Sequence, residues 1–359
     1  MVRVAIIGTV GVPANYGGFE TLVENIIDRR VSHKIKYQIY CSGKSYENKL
    51  RTYKGADLHY VSLKANGFQS VFYDIVSLVR ASFCADIILV LGVSGCSFLP
   101  FYRLFFKKKL VINVDGLEHR RDKWGKMTKR FLKFSERMAI KYGDVIIADN
   151  RGIQDYVEQE YGAKAEVIAY GGDHVLCTPS KIMEMEVLNE YSLKRNNYSF
   201  AVCRIEPENN IHMILAAFAQ SEKEILFVGN WERSEYGLKL LSEYKQYTNI
   251  KMLSPIYDIT TLYVLRSNCL FYIHGHSAGG TNPSLVEAMF FDKPIFAFNV
   301  IYNRETTENK ANYFSTEDEL KQLICSSDID YNSNAHSMYE IANRRYRWEK
   351  IAKQYEILY

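Results

Sequence analysis

Four stretches of the chain gather residue types that can do chemistry. The first, Gly8 to Glu20, carries Gly8, Gly11, Pro13, Tyr16, Gly17 and Gly18 between an apolar run and a helical pattern. Glycines let backbone approach a ligand, and a helix start offers free N–H groups and partial positive charge. The stretch reads as a phosphate or sugar cradle or, alternatively, as a long strand-to-helix turn. It is neither G-x-G-x-x-G nor G-x-x-x-x-G-K-[ST], and the second strand ends in Cys41 and Ser42 rather than an acid, which argues against NAD and P-loop chemistry. The second stretch runs through Asp115, Glu118, His119, Arg121, Asp122, Lys123 and Trp124. Carboxylates beside a histidine can orient or deprotonate a hydroxyl, and an indole can stack on a sugar face. The alternative is a polar loop whose charges pair in water.

The third and fourth stretches suit a charged ligand. Arg204, in the run Arg204 to Asn210, has a fork of donors that fits a diphosphate. From His274 to Met289 a strand end, the glycines 275, 279 and 280, and Pro283 at a helix start lead to Glu287. A carboxylate there can accept two hydroxyl hydrogen bonds, as a nucleotide ribose offers. Arg204 and the glycine loops together describe a diphosphate held without a metal. The one D-x-D, Asp328 to Asp330, follows no apolar strand and is not read as a metal site.

Alternating strands and helices must position these residues. Val/Ile/Leu-rich runs predict strands at 2–8, 35–41, 57–62, 86–91, 109–114, 144–148 and 165–169, with helical periodicity at 19–30, 70–84, 126–142 and 150–161. A polar stretch at 175–197 reads as a linker edge. The alternation restarts with strands at 199–204, 224–229, 269–274 and 294–298 and helices at 211–220, 234–246 and 283–291. The last 20 residues read as one amphipathic helix bearing Ile341, Trp348, Ile351, Ala352 and Tyr355. The expectation is an α/β protein with parallel sheets: an N-terminal Rossmann-like domain over 1–176, a second over 177–340, and a helix over 341–359 packing back on the first. Ligands are expected in a cleft between the carboxyl ends of the two sheets.

Composition bounds the rest. At 359 residues, 47% hydrophobic and 24% charged, the chain has material for two cores. The longest uncharged apolar run, Ile87 to Tyr102, is 16 residues, too short to span a bilayer, and no signal-peptide layout opens the chain. Seven cysteines never form C-x-x-C, which suggests reduced thiols in a cytoplasm. Net charge is +4, yet 103–141 holds 13 Lys/Arg against 4 acids, a local +9. Membrane phosphates or a diphosphate-lipid acceptor would explain that surplus; no motif supports nucleic acid. In the helix at 126–142 the stripe of Met127, Phe131, Phe134 and Met138 reads as core. The 27 tyrosines read mostly as ordinary half-buried residues.

Taken together, these residues resemble a family 4 retaining glycosyltransferase of GT-B fold. The resemblance is carried by Arg204 in an R-x-x-P-E setting, by Pro283 to Met289 before Lys293-Pro294, and by Trp348, Ile351, Ala352, Tyr355 and Tyr359. The N-terminal half, through Pro13 to Thr21 and Asp115 to Trp124, resembles that of bacterial β-1,4-rhamnosyltransferases. The resemblance implies transfer of L-rhamnose from dTDP-L-rhamnose onto an undecaprenyl-diphosphate-linked saccharide in surface polysaccharide synthesis (capsule, O-antigen or cell-wall glycan). It implies no cofactor or metal, and a cytoplasmic enzyme peripheral to the inner, anionic face of the cytoplasmic membrane.

By the same resemblance Arg204 neutralises the diphosphate and Glu287 holds the ribose. Gly280, Thr281 and Asn282 meet the phosphates and donor sugar, and Gly17 and Gly18 close from the other side. Asp115, Glu118 and His119 are the candidates for orienting or deprotonating the acceptor, with Tyr16, Arg121, Lys123 and Trp124 binding it. Two departures stand out. The family's Lys five or six residues after the Arg is here Asn209 or Asn210, of which Asn209 is assigned to the donor site, and the first Glu of E-x7-E is Gly279. Two rival readings remain: a GT-B nucleotide-sugar epimerase or phosphorylase, and a catalytically weak nucleotide-sugar-binding protein.

Overall fold

Runs such as Ile87–Leu91, buried at every position, can only be central parallel strands covered on both faces. A computed structural model describes residues 1–14, 17–121, 124–326 and 329–359. The chain divides into two compact units, Met1–Tyr170 with Trp348–Tyr359, and Gly171–Arg347.

In the first unit the order is β1 (Val2–Ile7), α1 (Gly18–Asp28), β2 (Ile35–Ser42), β3 (Thr52–Tyr53), β4 (Ala56–Val61), α2 (Gln69–Cys84), β5 (Ile87–Leu91), α3 (Leu99–Phe105), β6 (Lys109–Asn113), α4 (Lys126–Tyr142), β7 (Val145–Ala148), α5 (Arg151–Tyr161) and β8 (Glu166–Val167). Among the described residues these strands form one sheet, β3-β4-β2-β1-β5-β6-β7-β8, parallel except for the β3–β4 pair. Strand order reverses between β1 and β5, the place where such sheets offer ligands their carboxyl ends.

The second unit holds α6 (Lys181–Glu190), β9 (Tyr198–Val202), α7 (Ile211–Ala219), β10 (Glu224–Val228), α8 (Glu235–Tyr244), β11 (Ile250–Leu253), α9 (Ile259–Ser267), β12 (Tyr272–His274), α10 (Pro283–Ala288), β13 (Ile295–Phe298), α11 (Ile301–Thr306), β14 (Asn312–Phe314), α12 (Glu317–Cys325) and α13 (Tyr331–Arg345). Its sheet, β11-β10-β9-β12-β13-β14, is parallel throughout and reverses between β9 and β12. The chain then returns to the first unit as α14 (Trp348–Ile357). There Trp348, Ile351 and Tyr355 join the core of β1, β2 and α1, and the Glu356 carboxylate accepts from the backbone of Val31 and Ser32, each at 2.8 Å.

The doubly wound α/β architecture is as expected, and the differences have physical causes. The stretch read as a linker contains α6, capped by Ser180 accepting from Met183 N–H. Only Val187 and Leu188 of that helix are buried, too little to leave a helical period in the sequence. The final periodicity is carried by two helices, α13 and α14, separated at Tyr346 and Arg347. The α4 stripe is not core: of its four members only Met138 is buried, while Met127, Phe131 and Phe134 are exposed. Strands β11 and β14, at four and three residues, are too short for a periodicity reading.

Candidate functional site

At the carboxyl end of the second sheet the loops after β9 and β12 are stitched together. Asn209, 4% exposed, donates its amide Nδ2 to the Arg204 carbonyl at 2.7 Å, so its Oδ1 must be the acceptor. That oxygen lies 2.7 Å from His276 Nδ1, which therefore carries the proton. Asn210, left-handed at φ +48°, donates to the Gly275 carbonyl at 2.9 Å. Ser277 donates N–H and hydroxyl to the Glu208 carbonyl, at 2.9 and 2.8 Å. Gly275 has no alternative here, because a Cβ would lie 2.1 Å from the Asn209 carbonyl oxygen. The two asparagines standing in the family's Lys position are thus structural, and Asn209 is committed on both sides of its amide.

What this scaffold leaves exposed is Arg204. Its guanidinium makes no ion pair among the described residues, while its carbonyl is held by Asn209 and Glu206 N–H. Next in the chain, α10 starts with Asn282 as cap, its Oδ1 accepting from Ser284 N–H at 2.9 Å. Gly280 and Thr281 are buried, and Gly279 sits at φ +86°, where a glutamate would be strained. The missing acid therefore goes with the loop conformation. Glu287 is not alone: Arg266 on α9 donates to its Oε2 at 2.5 Å, and His174 Nε2 lies 3.5 Å from its Oε1. Arg266 is 4% exposed, a buried cation that sequence reasoning missed because it lies in an ordinary helix. At the end of β12, burial pushes the His274 imidazole down to about 3, so it is neutral at physiological pH.

The first unit treats its glycine loop differently. Glu20, in the first turn of α1 and 7% exposed, accepts from Val10 N–H at 2.7 Å and from the Thr9 hydroxyl at 2.8 Å. Glu24 accepts from Ala14 N–H at 2.7 Å and from the Tyr53 hydroxyl at 2.6 Å. Gly17 is at φ +140°, and a Cβ there would meet Glu20 Oε2 at 1.9 Å; Gly18 is the first residue of α1. Tyr73 donates to the Thr9 carbonyl at 2.9 Å and Tyr46 to the Pro13 carbonyl at 3.0 Å. The reading of the tyrosines as ordinary fails here, because three of their hydroxyls brace this one loop.

Tyrosines also anchor the loop after β6. Asp115, left-handed at φ +59°, donates its N–H to Asn113 Oδ1 at 3.0 Å, and Asn113 donates to the Tyr355 hydroxyl on α14 at 2.9 Å. His119 Nδ1 lies 3.0 Å from Glu136 Oε2, and the other Glu136 oxygen accepts from Tyr156 and Tyr161 at 2.7 and 2.6 Å. Burial works to raise the Glu136 carboxyl, but the hydrogen bonds from His119, Tyr161 and Tyr156 outweigh it and hold it below the ordinary value. Glu118 pairs with Arg121 at 2.9 Å and accepts from the Trp124 indole at 3.0 Å. Tyr16, Lys123 and Asp328 lie outside the described residues. Glu136, mid-helix and acidic in a basic segment, was the only sequence hint of this knot.

The model of the family Glycosyl transferases group 1 matches residues 188–327, which contain the β9 and β12 loops. The chain carries a group 1 glycosyltransferase domain. Residues 1–173 match a second family, Domain of unknown function (DUF1972). Solved structures of GT-B glycosyltransferases share the fold over essentially the whole chain. A sucrose-phosphate synthase from Thermosynechococcus elongatus is similar at TM-score 0.82 and 15% identity, covering 100% of this chain and 98% of its own. HepE of Anabaena, in complex with UDP-glucose, is similar at TM-score 0.76 and 16% identity, covering 100% and 99%. The starch synthase IV catalytic domain of Arabidopsis thaliana, bound to ADP and acarbose, is similar at 0.69 and 12%, covering 99% and 98%. No curated protein matches the sequence. Among the described residues there is no group of three His, Cys, Asp or Glu side chains able to hold a metal ion.

Proposed function

We propose that the protein transfers L-rhamnose from dTDP-L-rhamnose to a saccharide on undecaprenyl diphosphate, with retention of configuration, at an anionic membrane surface. The observation that carries the donor half is the unpaired Arg204 guanidinium beside the β9–β12 reversal, with Glu287 held by Arg266 in the same unit. Arg204 meets the diphosphate; Glu287, with lone pairs beyond those that Arg266 uses, accepts from the ribose hydroxyls. The acceptor hydroxyl attacks the anomeric carbon on the face that the diphosphate leaves. The new C–O bond forms as the old one breaks, and the hydroxyl proton passes to the departing phosphate or to a base. Arg204 stabilises the negative charge developing on the leaving group.

On the acceptor side His119 is the candidate base or orienting group. With Glu136 accepting at Nδ1, that nitrogen holds the proton and Nε2 is the basic atom offered to a hydroxyl. A glycine loop lined by Glu20 and Glu24 suits a neutral sugar better than a phosphate. The family of residues 188–327 and the nucleotide-sugar complexes of similar folds support this reading.

A thermal-shift panel tests the donor, because a ligand of the native state raises its apparent stability. A shift with dTDP-L-rhamnose and none with UDP-glucose is expected, and the reverse overturns the donor. Asn209 in the Lys position favours one rival, a binding protein with little turnover. Tight dTDP-sugar binding without product on any lipid-linked acceptor would decide for it, and product formed without acceptor would point to an epimerase or phosphorylase.

A further inference from the structure

The largest concentration of exposed apolar side chains lies outside every loop described above. On α3, Phe101, Leu104 and Phe105 face solvent, and on α4 Met127, Phe131 and Phe134 do, from 36% exposed at Phe131 to 85% at Met127. The two helices run side by side in the same direction. Ser97 N–H, just before α3, donates to Ser135 Oγ at 2.9 Å, and Arg103 near its end donates to the Tyr142 carbonyl at 2.6 Å. Phe83, 77% exposed at the end of α2, extends the patch through an edge contact with Phe106, ring centroids 5.4 Å apart.

Solvated helices do not ordinarily expose six large apolar residues in two neighbours. The charges around them point to the occupant. Lys107, Lys109, Lys126, Arg130, Arg137 and Lys141 are all exposed, whereas 99–114 contains no acid and 124–143 only Glu136, which is 2% exposed. On α4 the apolar positions 127, 131 and 134 share one stripe, while 126, 130, 137 and 141 fall to its flank. The exposed charges carried by α3 and α4 themselves are all cations, and the acids nearest in contact, Asp144 and Glu160, are paired with Arg103 and Lys133. Cations flanking exposed aromatic side chains match a polyanionic surface with an apolar interior.

We propose that the outer face of α3 and α4 seats the protein on an anionic bilayer. Phe101, Leu104, Phe105, Met127, Phe131 and Phe134 enter the headgroup–acyl boundary, and the flanking lysines and arginines meet lipid phosphates. This deepens the reading of a lipid-linked acceptor and rests on it for purpose. It differs from simple electrostatic adsorption in that part of the binding survives salt.

The test is co-sedimentation of the full chain with phosphatidylglycerol vesicles and with phosphatidylcholine vesicles, at low and at high salt, beside transfer to a water-soluble acceptor analogue. Wild type is expected to bind phosphatidylglycerol and to keep a salt-resistant fraction. L104S/F105S and M127S/F131S, confirmed folded by circular dichroism, should lose that fraction. K126E/R130E/R137E should lose low-salt binding by at least about 100-fold, on the order of fivefold or more per cation. Soluble-acceptor turnover should stay unchanged in all three, since none of these residues belongs to the site. Serine variants that bind as tightly as wild type at high salt overturn the proposal, as does a wild type that stays unbound at low salt. A wild-type dimer that the serine variants dissociate would make this face an interface between copies instead. Because the vesicles contain neither donor nor acceptor, failure of the transferase reading shows only in the turnover arm.

Discussion

The two units each place a glycine-rich loop at the carboxyl end of a parallel sheet, yet they load it in opposite ways. In the first unit the loop's N–H groups at Val10 and Ala14 are taken by Glu20 and Glu24, so negative charge already sits at the start of α1. In the second, neutral amides of Asn209 and Asn210 tie the loops together, and the exposed charge is the cation of Arg204. A helix start filled by its own carboxylate repels a phosphate, whereas an unpaired arginine attracts one. By charge alone, the first unit's loop suits a neutral ligand and the second unit's an anionic one, in line with the proposed division between acceptor and donor.

The largest effect should come from breaking the cationic half. Arg204→Ala is expected to lower kcat by about 100- to 1,000-fold, the usual loss when a group opposing transition-state charge is removed. Its fold should persist, since the backbone at 204 is held by Asn209 rather than by its own side chain. Single-turnover assays with labelled donor read the effect, and near-normal turnover by the variant would remove Arg204 from the mechanism.

Only the cationic half of this contrast was legible in the residues; the first loop reads there as a phosphate or sugar cradle, with nothing to show that Glu20 and Glu24 take its N–H groups. Gly17, Arg204 and Glu287, proposed to face a ligand, stand out by type and spacing because they sit in short motifs after strands. Their supports do not. Arg266, Glu136, Tyr73 and Tyr355 make their supporting bonds from helices elsewhere in the sequence, between 17 positions away in the bond Glu136–His119 and 242 in the bond Tyr355–Asn113. A helical pattern says which face is buried but not which loop a buried hydroxyl will reach. The α4 stripe failed for a related reason: an amphipathic period reports an apolar face and is silent on whether protein or lipid covers it.

The anionic half is expected to fail as structure rather than as chemistry. Glu20→Ala strips acceptors from Val10 N–H and the Thr9 hydroxyl, each orphaned group costing roughly 1–3 kcal/mol. Hydrogen exchange over 9–28 should accelerate while exchange over 203–210 stays as in wild type. If acceleration reaches the second unit equally, the two loops are not the independent devices the contrast requires.

Acid should separate the units by a smaller margin. The Glu136 carboxyl is held below its ordinary value of 4.5, with burial opposing and the bonds from His119, Tyr161 and Tyr156 prevailing. A depressed carboxylate contributes stability that is complete above the unfolded value and is lost as pH falls through the folded one. His119, Lys133, Tyr156 and Tyr161 face it, and Lys133 also pairs with Glu160 at 2.9 Å. Protection from exchange over 115–121 and 129–161, measured against the intrinsic rate at each pH, should therefore fall as pH drops below about 4.5, and Glu136→Gln should flatten that fall. A pH profile identical in the variant would place the acid sensitivity elsewhere.

The finest test concerns the loop after β6, proposed to meet the acceptor, and its distant support. Tyr355→Phe removes only the hydroxyl that receives Asn113 Nδ2, leaving the ring in the core beside Trp348 and Ile351. Asn113 is 1% exposed, so its amide finds no water to replace the phenol, and the cost should be about 1 kcal/mol. Asn113 also fixes the N–H of Asp115, whose left-handed backbone depends on such restraint. Loosening it should raise KM for the acceptor several-fold and leave KM for the nucleotide sugar unchanged, since the bonds Asn209–Arg204, Asn209–His276 and Asn210–Gly275 that hold the β9 and β12 loops are made within the other unit. A variant that instead raises KM for the donor would show that the loop after β6 serves the charged ligand, and the division between the two units would fall.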